Sequence, residues 1–316
     1  MAAQSILVTG GAGFIGSHII NQLVHERREV LVLDNLSSGK IENLAPQMKE
    51  DLVELIKGDV RDDSLVASLS SKVEAIVHLA AVADHEACLR DPEQANDVNA
   101  RGTLVMLEAA RKNDVKCVVY ASSAALYGEP SQFPISEEAG LAPISVYGAS
   151  KLAGEQHCLQ YLQTYGLRAK CLRFFNVFGP RQYARQYSGV ITEFMKRLGQ
   201  NEPPIIFGDG LQTRDFVNIK DIVEATILAL DSEQANGVYN IATGKETTIN
   251  SLAEILSKIS GKAMAPIHGP PRQGEIRRSV ADISKAKTQL HFTPRTDLEN
   301  DLRELWSWQQ ASTLDT

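Results

Sequence analysis

A tyrosine and a lysine four positions apart could carry out acid–base chemistry. Tyr147 and Lys151 lie in "SVYGASK", on one face of the helix predicted for residues 146–165. A free phenol has a pKa of about 10 and is a poor base at neutral pH, but an adjacent ammonium group stabilises the phenolate. A tyrosine tuned in this way can take the proton of an alcohol while hydride leaves the same carbon. Because such pairs are also common on exposed helices, this interpretation requires a hydride acceptor nearby.

A glycine-rich segment near the N-terminus predicts where that acceptor binds. "VTGGAGFIGS" places Gly10, Gly13 and Gly16 after a predicted strand and at the start of a helix. Glycines let the backbone approach a pyrophosphate, and the helix N-terminus directs N–H groups toward the anion. Asp34 ends the second predicted strand, where a carboxylate can bind an adenine ribose diol and repel the 2′-phosphate of NADP. A tight turn with an unrelated aspartate is the alternative, but the complete combination favours NAD.

Two later strand ends supply further candidates. "GDVRD" places Asp59 where it could contact the adenine amino group, and "HLAA" ends the fourth predicted strand with small residues beside the cofactor path. His78 in that motif is interpreted as a packed strand histidine. The seven histidines show no HxxxH or HExxH spacing, so no metal site is predicted.

The elements that carry these motifs alternate between strand and helix. The β-rich runs cover residues 5–10, 29–34, 51–59, 74–80, 117–123 and 167–175. Helical patterns cover residues 14–25, 62–70, 93–112 and 146–165. Short apolar strands covered by helices predict an α/β protein with a Rossmann-type, doubly wound parallel sheet.

After residue 175 the sequence is richer in Gly/Pro loops, which indicates a second unit. Helices are predicted there at about 219–231, 248–259, 282–290 and 297–310. We predict a cofactor-binding domain over residues 1–175, to which the chain returns at about 216–243. A smaller, loop-rich α/β domain over residues 176–215 and 244–316 is then expected beside the carboxyl edge of the sheet, where such sheets bind ligands.

The composition bears on partners and compartment. The net charge of −7 argues against a nucleic acid or an anionic membrane as partner, since both require a basic patch. No signal peptide is predicted, and no apolar run approaches the roughly 20 residues that span a bilayer. The cysteines form no CxxC pair and are expected to be buried thiols, typical of a cytoplasmic protein; they are Cys88, Cys117, Cys158 and Cys171.

Motifs along nearly the whole chain resemble one family. They are "VTGGAGFIGSH", "HLAA", "NARGTLVMLEAAR", "ASSAALYG", "VYGASKLAGE", "RFFNVFGPRQ", "YSGVITEF", "FGDGLQTRDFV" and "YNIATGKETTI". In this order they resemble the extended short-chain dehydrogenase/reductases of the nucleotide-sugar epimerase/dehydratase family. The resemblance implies an NAD site formed by Gly10, Gly13, Phe14, Ile15, Gly16, Asp34, Asn35, Ser38, Gly39, Asp59, Val60, Leu79, Ala80, Ala81, Asn99, Ser122, Tyr147 and Lys151.

The stretch "ASSAALYG" distinguishes between the reactions of that family. The resemblance implies that Ser123 hydrogen-bonds the sugar hydroxyl that is oxidised. Dehydratases and decarboxylases of the family carry acidic residues at the two following positions, which are Ala124 and Ala125 here. Without an acid–base group there, water elimination has no evident catalyst. The resemblance therefore favours a 4-epimerase of a UDP-hexose, acting through a 4-keto intermediate with Ser123, Tyr147 and Lys151.

The same resemblance implies the substrate contacts. Arginines in "QTRDF" and "PPRQGE" would hold a diphosphate by charge-assisted bonds. The complete set is Asp84, Ser123, Tyr147, Asn176, Val190, Ile205, Phe207, Arg214, Arg272, Glu275 and Ser279. Without the flanking Gly/Pro loops, the arginines would be interpreted as solvated surface residues.

Some positions depart from the family pattern. Asp84, His85 and Cys88 replace more usual small residues, and a metal cluster of the three is improbable without a fourth ligand. Asn218 replaces a usual aromatic residue after "RDFV". Arg185 could attract a C6 carboxylate, which leaves a UDP-glucuronate 4-epimerase as an alternative. A 4-epimerase of another nucleotide sugar is a further alternative.

Ser279 bears on sugar selectivity. By alignment, it occupies the wall beside the C2 substituent, where family members restricted to plain hexoses often carry tyrosine. A serine leaves volume for an acetamido group, so activity on UDP-GlcNAc/GalNAc is expected as well. The alternative is a loop residue that points to solvent.

Other classes of function are compatible with these motifs. A non-catalytic NAD-binding sensor or scaffold is disfavoured by the intact Ser123, Tyr147 and Lys151 set, and a net dehydrogenase would have to release NADH in every turnover. The family usually dimerises through two long helices per subunit, predicted here at 93–112 and 146–165, so a homodimer is expected.

Overall fold

The computed structural model describes residues 5–182, 189–262, 264–272, 274 and 276–314. Its strands are β1 (Ser5–Thr9), β2 (Glu29–Asp34), β3 (Val53–Lys57), β4 (Ala75–His78), β5 (Cys117–Ser123), β6 (Arg168–Phe174), β7 (Asn176–Phe178), β8 (Ile205–Phe207), β9 (Thr213–Arg214), β10 (Phe216–Asn218), β11 (Gly237–Ile241), β12 (Thr247–Thr248) and β13 (Ile267–Gly269). Its α-helices are α1 (Phe14–His25), α2 (Asp63–Ser70), α3 (His85–Arg90), α4 (Pro92–Asn96), α5 (Gly102–Lys112), α6 (Val146–Tyr165), α7 (Val190–Gly199), α8 (Ile219–Asp231), α9 (Ile249–Ile259), α10 (Ser284–Gln289) and α11 (Leu298–Leu314).

A seven-stranded parallel sheet organises the molecule, in the order β11-β6-β5-β4-β1-β2-β3. The chain winds outward from β1 in one direction and from β4 in the other. Ligand crevices of such sheets lie at this reversal, beyond the carboxyl ends of the strands. The predicted doubly wound α/β fold is confirmed, with β11 as a seventh strand from the returning segment.

Helices cover both faces of the sheet. Ile6 and Val8 pack in the cluster that contains Ile20 of α1 and Ile222 of α8. Leu7, which points to the opposite face, packs in the cluster that contains residues of α2, α5 and α6. Burial on both faces explains why the strands read as continuous apolar runs.

A further apolar cluster, separate from the two at the sheet, lies between α7, α9 and α11. Three pairs of very short strands accompany it: β10 with β7, β12 with β9, and β13 with β8. Sequence analysis predicted the α9 and α11 regions but not α7. No helix of the described residues is both long and apolar enough to cross a membrane. The four cysteines are buried and free, as predicted.

The chain is helical throughout the predicted segment 93–112, but its middle is not α-helical. A π-helical turn, Asp97–Arg101, separates α4 from α5. Asn99 in that turn is fully buried, and its amide bonds Val82 and the Ser150 hydroxyl. We attribute the widened turn to these contacts, which hold Asn99 away from the position that a regular α-helix would give it.

Candidate active site

One cavity of about 630 Å³ lies at the carboxyl ends of the central strands. It is lined by residues that lie between Gly10 and Phe216 in the chain. The predicted site residues among them are Gly10, Gly13, Phe14, Ile15, Gly16, Asp34, Asn35, Ser38, Val60, Leu79, Ala80, Ala81, Asp84, Ser122, Ser123, Tyr147, Lys151, Asn176 and Val190. The structure therefore brings the glycine loop, the Tyr147/Lys151 pair and part of the predicted substrate set to one place.

The glycine loop is close-packed against its surroundings. Gly10 has φ +67°, and a Cβ there would lie 2.8 Å from the backbone nitrogen of Ala80. A Cβ on Gly16 would lie 2.4 Å from the carbonyl oxygen of Gly10. Gly13 is the N-cap of α1 and offers no side chain to its first turn. The loop therefore leaves the helix N-terminus open to an anion such as a pyrophosphate.

Asp34 is held rigidly at the end of β2. One carboxylate oxygen accepts a bond from the Ala12 N–H at 2.9 Å, and the other accepts one from the Leu36 N–H at 2.8 Å. Burial raises the pKa of Asp34, while these two N–H groups act in the opposite direction. The residue is only 7% exposed, yet it borders the cavity. A carboxylate placed in this way can still accept hydrogen bonds from the hydroxyl groups of a ribose through its remaining lone pairs.

The catalytic candidates lie on β5 and α6, which approach each other closely beside the cavity. Ser145 caps α6 by accepting a bond from the Gly148 N–H at 3.0 Å. A Cβ on Gly148 would lie 2.7 Å from the Ala125 carbonyl oxygen, so this glycine lets the first turn of α6 approach the end of β5. The Ser123 hydroxyl oxygen accepts a bond from the Ala125 N–H at 3.1 Å. Ser123 can therefore still donate its own hydrogen into the cavity.

Lys151 is almost completely buried, and burial lowers its pKa to about 8. Its Nζ atom lies 4.1 Å from the centroid of the Tyr120 ring. A lysine with this pKa keeps much of its charge at neutral pH. It can therefore stabilise a phenolate formed on the cavity side of the same helix.

A buried polar network lies behind β5, and sequence analysis did not anticipate it. The Ser122 hydroxyl donates to Glu155 at 2.6 Å, and Glu155 accepts two bonds from Arg173 at 2.6 and 3.0 Å. Arg173 also donates to the Tyr127 hydroxyl at 2.7 Å, and Tyr127 donates to Asn240 at 2.7 Å. The network connects α6 with three strands of the sheet and so positions the strand that carries Ser123.

His78 has no role at the cavity surface. Its Nδ1 atom lies 2.7 Å from the Thr9 hydroxyl and its Nε2 atom 3.1 Å from the Thr103 hydroxyl. Burial lowers its pKa to about 3, so the ring is neutral. The interpretation of His78 as a packed strand histidine is confirmed. Among the described residues, no group of three potential metal ligands is found.

Three predicted cofactor residues lie beside the cavity rather than in its lining. Asn99 holds the loop at Val82, and Gly39 packs against Ala12 and the Asp34 carboxylate. Asp59 is paired with Arg61, whose hydrogen bonds lower the pKa of Asp59 to about 2. In this geometry we infer indirect roles for them, because each orients a segment that does line the cavity.

Most predicted substrate residues of the second unit also lie outside the described lining. Arg272 stacks on Phe207, with 3.9 Å from its guanidinium carbon to the ring centroid. Arg214 donates to the Ile276 carbonyl at 2.7 Å. Ile205 pairs with the strand β13, and Ser279 is buried, which rules out the alternative of a solvent-pointing residue. Glu275 and Arg185 lie outside the described residues.

The departures from the family pattern have structural explanations. Asp84 caps α3 by accepting a bond from the Ala87 N–H at 2.6 Å, and it borders the cavity. The Cys88 thiol donates to the Val82 carbonyl, while His85 is exposed. Asn218 caps α8 through the Lys220 N–H at 2.9 Å, which accounts for an asparagine at that position.

Several lining residues escaped sequence analysis. The charged and polar ones are Ser37, Asn43, Arg61, Arg90, Gln94, Arg181 and Gln182. The aromatic ones are Phe174, Phe175, Phe178 and Phe216. Six of these lining residues lie in two motifs quoted above, "RFFNVFGPRQ" and "FGDGLQTRDFV", so these motifs were the signal that could have identified them. The others come from separate segments that only the fold brings together.

A sequence profile described as the NAD dependent epimerase/dehydratase family matches residues 6–242. The chain belongs to this family. It is 40% identical over 307 residues to a putative UDP-glucose 4-epimerase of Methanocaldococcus jannaschii, covering 96% of this chain and 98% of the other.

Solved structures of the epimerase/dehydratase type extend the comparison. A UDP-glucose 4-epimerase of Thermotoga maritima with UDP-glucose superimposes with a TM-score of 0.93, at 37% identity, over 98% of this chain and 100% of the other. A UDP-N-acetylglucosamine 4-epimerase of Methanobrevibacter ruminantium in complex with UDP-N-acetylmuramic acid gives a TM-score of 0.94, at 38% identity, over 99% and 100%. The cofactor of this family is NAD, and the close-packed glycine loop and buried Asp34 fit it.

Proposed function

We propose that the protein is an NAD-dependent 4-epimerase that interconverts UDP-glucose and UDP-galactose. The observation that carries this proposal is the convergence of Ser123, Tyr147 and Lys151 on the cavity that the glycine loop also borders. The names of the similar proteins support the same reaction class.

Each of the three side chains has a separate role in the reaction. Ser123 holds the C4 hydroxyl of the sugar by a hydrogen bond, and Tyr147 takes the proton of that hydroxyl. Lys151 keeps the Tyr147 phenolate stabilised during the transfer. NAD, held by the glycine loop and Asp34, would supply the reversible hydride acceptor for C4. After the 4-keto sugar has rotated in the cavity, Tyr147 gives its proton back to the oxygen at C4, now with the opposite configuration.

The distribution of acidic groups supports epimerisation over water elimination. Among the described residues that line the cavity, only Asp34 and Asp84 carry a carboxyl group. Asp34 ends β2 at the predicted ribose site, and Asp84 caps a helix. The positions after Ser123 are Ala124 and Ala125, which cannot transfer a proton.

The decisive experiment is a panel of nucleotide sugars incubated with purified protein, followed by separation of the products. We expect conversion of UDP-glucose and UDP-galactose without added NAD, and NAD(H) released when the protein is denatured. Conversion of UDP-glucuronate alone would support the uronic acid alternative. Bound NAD without any conversion would support the sensor or scaffold alternative.

The proposal also covers the oligomeric state and the cellular location of the protein. We infer a homodimer formed through α5 and α6, because Leu104 on α5 and Tyr165 on α6 are 37% and 56% exposed. The four free thiols are compatible with a reducing compartment, so a cytoplasmic location remains our prediction.

Replacing Ser279 by tyrosine should separate two substrate pairs. Ser279 is buried but lies outside the described lining, so its place beside the C2 substituent stays a prediction. If it is correct, Ser279→Tyr lowers kcat/KM for UDP-GlcNAc/GalNAc about tenfold or more, because overpacking costs roughly 1–3 kcal/mol. The pair UDP-glucose/galactose should be affected much less. Ser279→Ala is the control, and an equal loss on both pairs would exclude Ser279 as the selective wall.

A further inference from the structure

The ammonium group of Lys151 lies on an aromatic face. Its Nζ atom is 4.1 Å from the centroid of the Tyr120 ring. The carboxylate one turn further along α6, Glu155, is bonded instead to Arg173 and Ser122. Glu155 is thus the counter-charge of Arg173, and Lys151 instead contacts the face of the Tyr120 ring.

Tyr120 is itself held in place from several sides. It is completely buried, and its hydroxyl donates to the backbone carbonyl of Lys151 at 3.2 Å. Its ring centroid lies 5.9 Å from that of His78. Gly154 makes room for it, since a Cβ there would lie 2.3 Å from the Tyr120 hydroxyl oxygen. One residue on β5 thus contacts both the side chain and the backbone of Lys151.

We propose that Tyr120 is a positioning residue, which holds the Lys151 ammonium in its charged form beside Tyr147. The inference rests on the proposed function, in which Tyr147 is the base. The face of an aromatic ring carries partial negative charge and attracts a cation, most strongly where water is excluded. The ring provides this attraction without placing a carboxylate, which could itself take up a proton, against Lys151.

The other groups around Lys151 do not replace this contact. Burial lowers the pKa of Lys151, and neutral His78 on β4 supplies no negative charge. The remaining titratable groups that act on Lys151 or Tyr120 are Cys171 on β6 and Tyr147, Glu155 and Cys158 on α6. If the attraction of the ring weakens, Lys151 loses its proton at lower pH. The Tyr147 phenolate then forms only at higher pH.

The test changes the electron density of the ring and little else. Tyr120→Phe serves as the reference protein, and 3,4,5-trifluorophenylalanine at the same position withdraws electrons from an otherwise similar ring. Phenolate formation by Tyr147 is followed by ultraviolet difference titration of the NAD-loaded proteins without substrate. Each titration is compared with the same protein that also carries Tyr147→Phe. We expect fluorination to raise the midpoint by about 1 pH unit, and kcat on the acid side to fall about tenfold.

The outcomes separate this inference from the proposed function. Equal midpoints in the two proteins, with equal melting temperatures, would overturn the role of Tyr120. A shifted midpoint in a protein that epimerises no sugar would support Tyr120 and overturn the epimerase function. A melting temperature that falls with fluorination while the midpoint stays fixed would assign Tyr120 a structural role only, and would also overturn the inference.

Discussion

Tyr147→Phe should lower kcat by about 10²–10⁴-fold while the protein stays folded and retains NAD. The substitution removes one hydroxyl group, and a positioned general base typically contributes this factor. Tyr147 borders the cavity one turn before Lys151, so no other change to the glycine loop or to Asp34 is expected. The measurement is kcat on UDP-galactose, together with the NAD(H) released on denaturation.

Tyr161→Phe is the matched control for that experiment. Tyr161 lies on the same helix, and its hydroxyl donates to Glu108 at 3.0 Å on the side away from the cavity lining. The identical chemical change there should leave kcat within a few-fold of the wild type. If Tyr147→Phe behaves like Tyr161→Phe, Tyr147 is not the base.

Arg173→Met should strongly destabilise the folded protein. Arg173 and Glu155 form a bidentate pair whose side chains are only 3% and 0% exposed. Removing the arginine leaves a buried carboxylate without its counter-charge, which costs roughly 3–5 kcal/mol of unfolding free energy. The free energy is measured by urea denaturation of the NAD-free protein.

Two comparisons make the result specific to burial. Arg28 also forms a bidentate pair, donating from Nη1 and Nη2 to Asp231 at 2.6 and 2.7 Å, but these side chains are 17% and 47% exposed. Arg28→Met should therefore cost only about 0–1 kcal/mol. Adding Glu155→Met to Arg173→Met should recover part of the loss, because the second change removes the unpaired charge. Equal losses for Arg173→Met and Arg28→Met would contradict the argument.

Local patterns in the sequence were sufficient for much of the fold. The helices Phe14–His25, Val146–Tyr165 and Ile219–Asp231 begin and end where they were predicted, and the predicted β-rich runs contain strands of the main sheet. The glycine loop and the Tyr147/Lys151 spacing are local patterns too, and both sets of residues line the cavity. These features depend on residues within a few turns of each other, where periodicity, capping and glycine chemistry act.

Tertiary structure alone decided which side chains support the site. The π turn that buries Asn99, the ring of Tyr120 beneath Lys151 and the pair of Glu155 with Arg173 join different elements of the chain. Very short strands such as β9 and β12 likewise exist only because a distant partner pairs with them. Burial, desolvation and pairing depend on which surfaces pack together after the chain has folded. No residue pattern along the chain shows which surfaces will pack together. The sequence by itself therefore determined the cofactor loop, the reacting residues and the sheet. Packing determined which contacts hold these residues and which protonation states they adopt.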